Sequence, residues 1–295
     1  MRSPRICFVT PYAHALFTGD PRGFGGAEVQ QRLISRALVA RGWDVSFVSY
    51  APGPPREEIV ENIRFWTVPT PPRGSRSMLR KPALFGLWGG MRRANADLYY
   101  QRCAGSITGV AALFARLRGL PFLFSVANDR DLDGSFLREA TVPQGLLYRL
   151  GVRLATRVIV QTRKQEKLLA ERWGREGVLV ASACALPADP LPPASARQEV
   201  LWVGNMLPKK RPQLMAELAS MLPEVTFTMI VPALGDSAFV REVLAALEKA
   251  PNLHRLGRVP YIDMPGHYRK AALVVSTSSA EGFANVFLEA WASRT

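Results

Sequence analysis

The stretch Ser278-Ser279-Ala280-Glu281-Gly282-Phe283-Ala284-Asn285-Val286-Phe287-Leu288-Glu289-Ala290 decides the reading of this chain. It follows the apolar run at 273–275, so a strand feeds a short loop and then a helix that opens near Asn285. A helix start behind such a loop leaves backbone N–H groups without intrahelical partners, and those groups hold phosphate or sugar oxygens. Gly282 lets the backbone approach a ligand closely. Glu289 stands eight residues after Glu281, where its carboxylate can accept from two hydroxyls, such as those of a ribose. Taken alone, the two glutamates read better as a helix cap and a solvated helix residue. The Gly-Phe-x-Asn between them, placed after a strand, favours a site.

Working outward, Trp202-Val203-Gly204-Asn205-Met206-Leu207-Pro208-Lys209-Lys210-Arg211-Pro212 repeats the logic. A strand runs into a glycine turn, and three consecutive cations are expected to open a helix. Lys209, Lys210 and Arg211 would neutralise a leaving diphosphate there. As mere solvated charge they would oppose the helix dipole. Near the N-terminus Gly25-Gly26-Ala27-Glu28 follows the first strand and reads as a phosphate-binding turn or as a plain turn. In Ser125-Val126-Ala127-Asn128-Asp129-Arg130-Asp131, Asp129 or Asp131 can bind or deprotonate an acceptor hydroxyl beside Asn128, unless the segment is only an Asx turn. Between 73 and 93, Arg76, Arg80, Lys81, Arg92 and Arg93 frame Leu79, Leu84, Phe85, Leu87 and Trp88. This mixture suits a helix lying on an anionic bilayer, or a packed helix with basic flanks.

These segments sit in an alternation of strand and helix patterns that predicts βαβ units and parallel sheets. Strands are expected at 6–9, 45–50, 63–68, 98–102, 122–127, 158–161 and 178–181. Helices are expected at 27–41, 77–95, 106–118, 138–155 and 163–173. The prolines within 186–198 mark a stiff linker. The alternation then resumes with strands at 201–203, 226–231 and 273–275 and helices at 212–222 and 239–249. Two α/β domains follow, 1–185 and 199–295, with a cleft between them as the favoured ligand site. The second unit ends inside or just after a helix where a parallel sheet would add another strand, so a truncated second domain is expected.

The 295 residues carry a formal net charge of +14, which points to an anionic partner: nucleic acid, a membrane surface or a phosphorylated substrate. No recognition-helix, RNP or zinc signature supports nucleic acid. Cys7, Cys103 and Cys184 are far apart and form no CxxC pair, which favours buried thiols in a reduced, cytoplasmic protein over a metal cluster or disulfides. No apolar run is long enough for a membrane span, so membrane contact is expected only at the periphery, at the inner face.

The pattern E-G-F-x-N-x-x-x-E-A at 281–290 resembles the E-x7-E signature of the retaining family 4 glycosyltransferases. The resemblance implies the GT-B fold, two Rossmann-like domains facing a cleft. It also implies transfer of a sugar from a nucleoside diphosphate sugar to a carbohydrate or lipid-linked acceptor, without metal or other cofactor. By it, Glu281 contacts the transferred sugar and Glu289 the donor ribose. Backbone N–H groups around Gly282, Phe283 and Asn285 would hold sugar or diphosphate, and Gly25 and Gly26 would lie near the donor phosphates. The family pattern G-R-L-x-x-x-K-G is met at Gly204 and Lys210, while Asn205 replaces its arginine and Arg211 its last glycine. Asp129-Arg130-Asp131 has the spelling of a metal site but lies in the other domain from the donor motifs. The competing expectation is a fragment that binds nucleotide without catalysis.

Overall fold

The computed structural model describes residues 2–19, 25–70, 81–187, 190–232, 235, 237–279, 281 and 283–295. The chain divides into two compact units, Met1–Ala183 and Cys184–Thr295.

The first unit runs β1 (Arg5–Val9), α1 (Ala13–Thr18), α2 (Gly26–Val39), β2 (Asp44–Ala51), β3 (Arg56–Val60), β4 (Ile63–Pro69), α3 (Lys81–Ala94) and β5 (Leu98–Arg102). It continues with α4 (Ser106–Leu117), β6 (Phe122–Ser125), α5 (Ser135–Glu139), α6 (Val142–Leu154), β7 (Arg157–Val160), α7 (Arg163–Trp173) and β8 (Gly177–Leu179). Its sheet has the order β3-β4-β2-β1-β5-β6-β7-β8 and is parallel except for β3. Helices cover both faces, so the central strands are apolar throughout rather than alternating. In β1, Cys7 and Val9 join the core with Leu87, Ala111 and Phe124, while Ile6 and Phe8 join Phe17, Phe47 and Phe65 on the other face. There Phe8 stacks on Phe47 at 4.8 Å between ring centroids, and Phe47 on Phe65 at 5.0 Å.

Three elements of this unit depart from the expectations drawn from sequence, the first being α1, which stands where a loop is expected between β1 and the helix at 27–41. Strand β3 was not anticipated because its Arg-Glu-Glu start is too charged to read as a strand. It is an antiparallel edge, closed by a two-residue turn in which Glu61 and Asn62 both have positive φ, 55° and 61°. Its charges find partners across the hairpin, with Arg64 Nε donating to Glu57 at 2.9 Å. The helix expected at 138–155 is two helices. Thr141 caps α6 through Gln144, and Pro143 occupies the first turn, where its missing N–H costs nothing. The turn between α5 and α6 passes through extended Ala140.

The second unit runs β9 (Glu199–Val203), α8 (Gln213–Met221), β10 (Thr226–Ile230), α9 (Ala238–Leu247), β11 (Leu253–Leu256), α10 (Met264–Lys270), β12 (Ala271–Val274) and α11 (Asn285–Ala292). Among the described residues its sheet is four parallel strands in the order β11-β10-β9-β12. Trp202, Phe227 and Met229 meet α8 and α9 on one face. Leu201 and Ile230 meet Met264, Tyr268 and Ala290 on the other. Here β11 and α10 were not anticipated, since Leu253-His254-Arg255-Leu256 alternates too briefly and Pro265-Gly266 reads as a turn. Arg197 is buried and donates to the carbonyls of Ser293 at 2.9 Å and Arg294 at 3.0 Å, completing the C-terminal end of α11.

Candidate functional site

In the order β11-β10-β9-β12, the chain leaves β9 toward β10 and β11 and later returns to the opposite side of β9 as β12. Such a reversal opens a crevice outside the carboxyl ends of the two strands, where α/β sheets bind ligands. The loops β9–α8 and β12–α11, which carry the two most informative motifs, both start there.

Side chains and main chain brace the two loops together. The Trp202 indole N–H donates to Thr277 Oγ1 at 3.0 Å, and Thr277 Oγ1 donates to the Lys210 carbonyl at 2.6 Å. Arg211 Nε donates to the Thr277 carbonyl at 2.7 Å. Ser279 gives both its N–H, at 2.9 Å, and its hydroxyl, at 3.1 Å, to the Lys209 carbonyl. Gly204 is required locally, because a Cβ there would lie 2.7 Å from the Trp202 ring. The Asn205 carbonyl accepts the Leu207 N–H, tightening the turn.

The cations do not open the α-helix, as the sequence suggested. Pro208–Lys210 is a single 3-10 turn, Arg211 follows in the left-handed region at φ 45°, and α8 starts at Gln213. Lys209, Lys210 and Arg211 thus escape the unfavourable helix dipole and stand on a loop at the crevice. Within it the Lys210 ammonium pairs with the Glu281 carboxylate, both side chains about one-fifth exposed (18% and 22%).

Glu289 is on α11, and the Tyr268 hydroxyl of α10 donates to it at 2.7 Å. Burial raises its pKa, opposed by hydrogen bonds from Tyr268 and Tyr261. Ala284 precedes α11 in extended conformation and Asn285 is its first residue. The Phe283 ring meets Trp291 edge-on at 6.3 Å. Gly282 lies outside the described residues. Tyr268 and Thr277 were missed from sequence, since neither belongs to a motif and only the packing of α10 and β12 brings them in.

The first unit has its own reversal, between β1 and β5. Gly25 caps α2, its N–H donating to Glu28 Oε2 at 2.8 Å, and Gly26 is the first helical residue. Burial raises the Glu28 carboxyl, with Arg102 opposing. Arg102 is buried at the end of β5 and donates to Ser125 Oγ at 3.1 Å, and its Nε has no partner among the described residues. The sequence signal for it was a cation ending an apolar strand. Asp131 is buried and accepts from the N–H groups of Ala127 and Asn128, at 2.7 and 3.4 Å. Burial raises its pKa against those bonds. Asn128 accepts from the Arg130 N–H at 2.9 Å. Asp129 pairs with Lys164 at 2.7 Å and accepts from Gln165 at 3.3 Å.

Of the basic segment at 73–93, Arg76, Leu79 and Arg80 lie outside the described residues. Leu87 is buried in the core, Leu84 and Trp88 pack against it, and Phe85 is exposed. No helix among the described residues is long and apolar enough to cross a membrane.

Family profiles settle the class. The one described as "Glycosyl transferase 4-like domain" matches residues 25–181, more than half of the chain. The chain belongs to this glycosyltransferase family. A second profile, "Glycosyl transferases group 1", matches residues 197–295 of the same glycosyltransferase. No curated protein matches it by sequence. Its fold is that of GT-B enzymes. Sucrose-phosphate synthase from Thermosynechococcus elongatus superposes with a TM-score of 0.65 at 17% identity, over 97% of this chain and 78% of that one. An E. coli trehalose-6-phosphate structure bound with UDP-2-fluoro glucose gives 0.66 at 14%, over 98% and 81%. The putative UDP-N-acetylglucosamine 2-epimerase from Listeria monocytogenes gives 0.59 at 12%, over 93% and 74%. That one fold includes both transferases and an epimerase means that the family profiles, and not the likeness of fold, carry the class.

Proposed function

We propose that this glycosyltransferase moves a sugar from a nucleoside diphosphate sugar to an acceptor hydroxyl with retention of configuration. The observation that carries the reading is the braced pair of loops at the reversal of the second sheet, with Lys210 paired to Glu281 and part-buried Glu289 on α11, the helix that follows the second loop. In this reading Lys210, with Lys209 and Arg211, neutralises the leaving diphosphate, so that no metal is needed. Glu281 positions the transferred sugar while its pairing keeps Lys210 in place. Glu289 accepts from the two ribose hydroxyls, its orientation fixed by Tyr268. The backbone N–H groups of Gly282, Phe283 and Asn285 hold sugar or phosphate oxygens, and Gly204 and Asn205 shape the turn beneath them. In the first unit Gly25 and Gly26 line its own crevice. Asn128, Asp129 and Asp131 form the acceptor side there, with Asp129 accepting a hydrogen bond from the acceptor hydroxyl and orienting it once it exchanges Lys164 for substrate.

Retention then follows from attack on the face that the diphosphate leaves, the departing phosphate taking the acceptor proton. This rests on the family resemblance and on likeness to trehalose-6-phosphate synthase, described for glycosyl transfer with retention. The acceptor is a carbohydrate or a lipid-linked sugar. The net charge of +14 and exposed Phe85 support a cytoplasmic protein working at an anionic membrane surface.

Thermal shift and calorimetry against UDP, GDP, ADP and their sugars test the donor site. A ligand at a hundred times its Kd adds about 2.7 kcal/mol to the native state. One nucleotide is expected to stabilise the native chain, and Glu289→Ala and Lys210→Ala each to abolish the effect. Absence of any shift in a folded chain removes the reading.

A further inference from the structure

The first unit also has a groove of about 910 Å³ with Leu132, Leu137 and Trp173 among its lining residues. Five arginines line it: Arg138 of α5, Arg149 and Arg153 of α6, Arg172 of α7, and Arg175 just after α7. No acidic residue is among its lining residues, and none of the five forms a salt bridge among the described residues. Two are fixed by main chain. Arg175 donates to the carbonyls of Arg153 at 3.1 Å and Ala155 at 2.6 Å, and Arg172 to that of Asp133 at 2.9 Å. Burial of the Asp133 carboxylate is outweighed by Ser135, whose N–H donates to it at 2.7 Å, and by the nearby Arg138 and Arg130, so its pKa is lowered. Arg149 and Arg153 are exposed four residues apart on one face of α6, a spacing at which like charges repel.

Helix-end placement explains Arg138, Arg153 and Arg172 singly, and Arg175 caps the last carbonyls of α6, while Arg149 has no such role. It does not explain why five arginines line one concavity whose lining carries no carboxylate, the nearby Asp133 carboxylate interacting with Arg138 alone of the five. Like charges so grouped repel, and a bound anion would relieve that repulsion. Guanidinium forks match phosphate oxygens two at a time, and the volume is that of a ligand cleft.

We propose that this groove of the first unit binds a phosphate-bearing polyanion, an inference independent of the reading of the donor motifs. The test uses the full chain carrying Lys210→Ala, which weakens the donor-side cations, titrated with inorganic tripolyphosphate at low salt. A parallel arm measures flotation with phosphatidylcholine vesicles containing phosphatidylglycerol. Arg149→Gln/Arg153→Gln is expected to weaken one of the two by about tenfold or more, as the loss of charge-assisted hydrogen bonds requires. The control pair Arg41→Gln/Arg116→Gln removes the same charge from exposed positions and is expected to leave binding within about twofold, because distant exposed charges are screened. Loss confined to tripolyphosphate identifies a soluble phosphate, and loss confined to vesicles a lipid headgroup. Binding of neither probe, or equal weakening by both pairs, overturns the proposal.

Discussion

At the scale of single residues, the second unit's crevice depends on contacts that a motif search cannot see. Trp202 is nearly fully buried, and its indole N–H reaches Thr277, which in turn holds the carbonyl of Lys210. Gly204 makes room for that ring. Gly204→Ala would force a Cβ to 2.7 Å from it, so the indole must shift and the Thr277 bond is lost. The expected cost is about 2 kcal/mol in a urea melt, the usual size of overpacking, together with loss of nucleotide binding. A variant as stable as the parent would show that the ring does not set the loop. Glu281, Lys210 and Glu289 were legible in the sequence because charged residues at fixed spacing around a glycine have a chemical reading. Tyr268, Thr277 and Arg102 were not, because their roles come from which strands and helices become neighbours. The state of Asp129 and Asp131 was equally hidden: spelling gives two carboxylates, while the fold gives one ion-paired and one buried.

At the scale of elements, α4 and α6 cross so closely that glycine is required on both. A Cβ at Gly109 would lie 2.1 Å from the Leu147 carbonyl oxygen, and one at Gly151 would lie 2.5 Å from the Thr108 main chain. Gly109→Ala is therefore expected to cost about 3 kcal/mol, read as a lowered urea midpoint with unchanged slope. Gly89 supplies the contrast. It lies within α3 with nothing within 4 Å of its would-be Cβ, so Gly89→Ala should stabilise by about 0.5–1 kcal/mol, since alanine loses less backbone entropy in a helix. Destabilisation at Gly89 would mean that α3 needs that glycine for another reason. In the second unit Arg197→Ala removes the donors to Ser293 and Arg294 and should cost about 2 kcal/mol. The parallel strands and most helices were legible because their apolar runs have a period. What was lost was local: the six-residue α1, the charged edge β3, the break at Thr141, and β11 and α10, where short length and a Pro-Gly pair outweigh pattern.

At the scale of the whole molecule, buried carboxyls set how stability depends on pH. Burial raises Glu28, Asp131 and Glu289 above their ordinary values near 4.5, 3.8 and 4.5. A raised carboxyl binds its proton more tightly in the native than in the unfolded state. Its contribution is complete below the ordinary value and is lost as pH rises through the native one. Glu58 and Asp97 run the other way: a hydrogen bond with His14 lowers Glu58, and one from Arg5 lowers Asp97. Asp97 is half exposed, so solvent screens its share, and Glu58 is part-buried. The unfolding free energy is therefore expected to fall as pH rises above about 4.5, the ordinary glutamate range. Glu289→Gln isolates one part of this fall. The variant should lose less stability than the parent over that rise, so the gap between the two unfolding curves changes with pH; parallel curves would mean that Glu289 titrates as it does in the unfolded chain. The same group links stability to function. Ribose hydroxyls that donate to Glu289 favour its charged form, so a saturating nucleotide should flatten the parent's pH slope and leave the slope of Glu289→Gln unchanged. A slope that flattens equally in both would place the nucleotide away from Glu289.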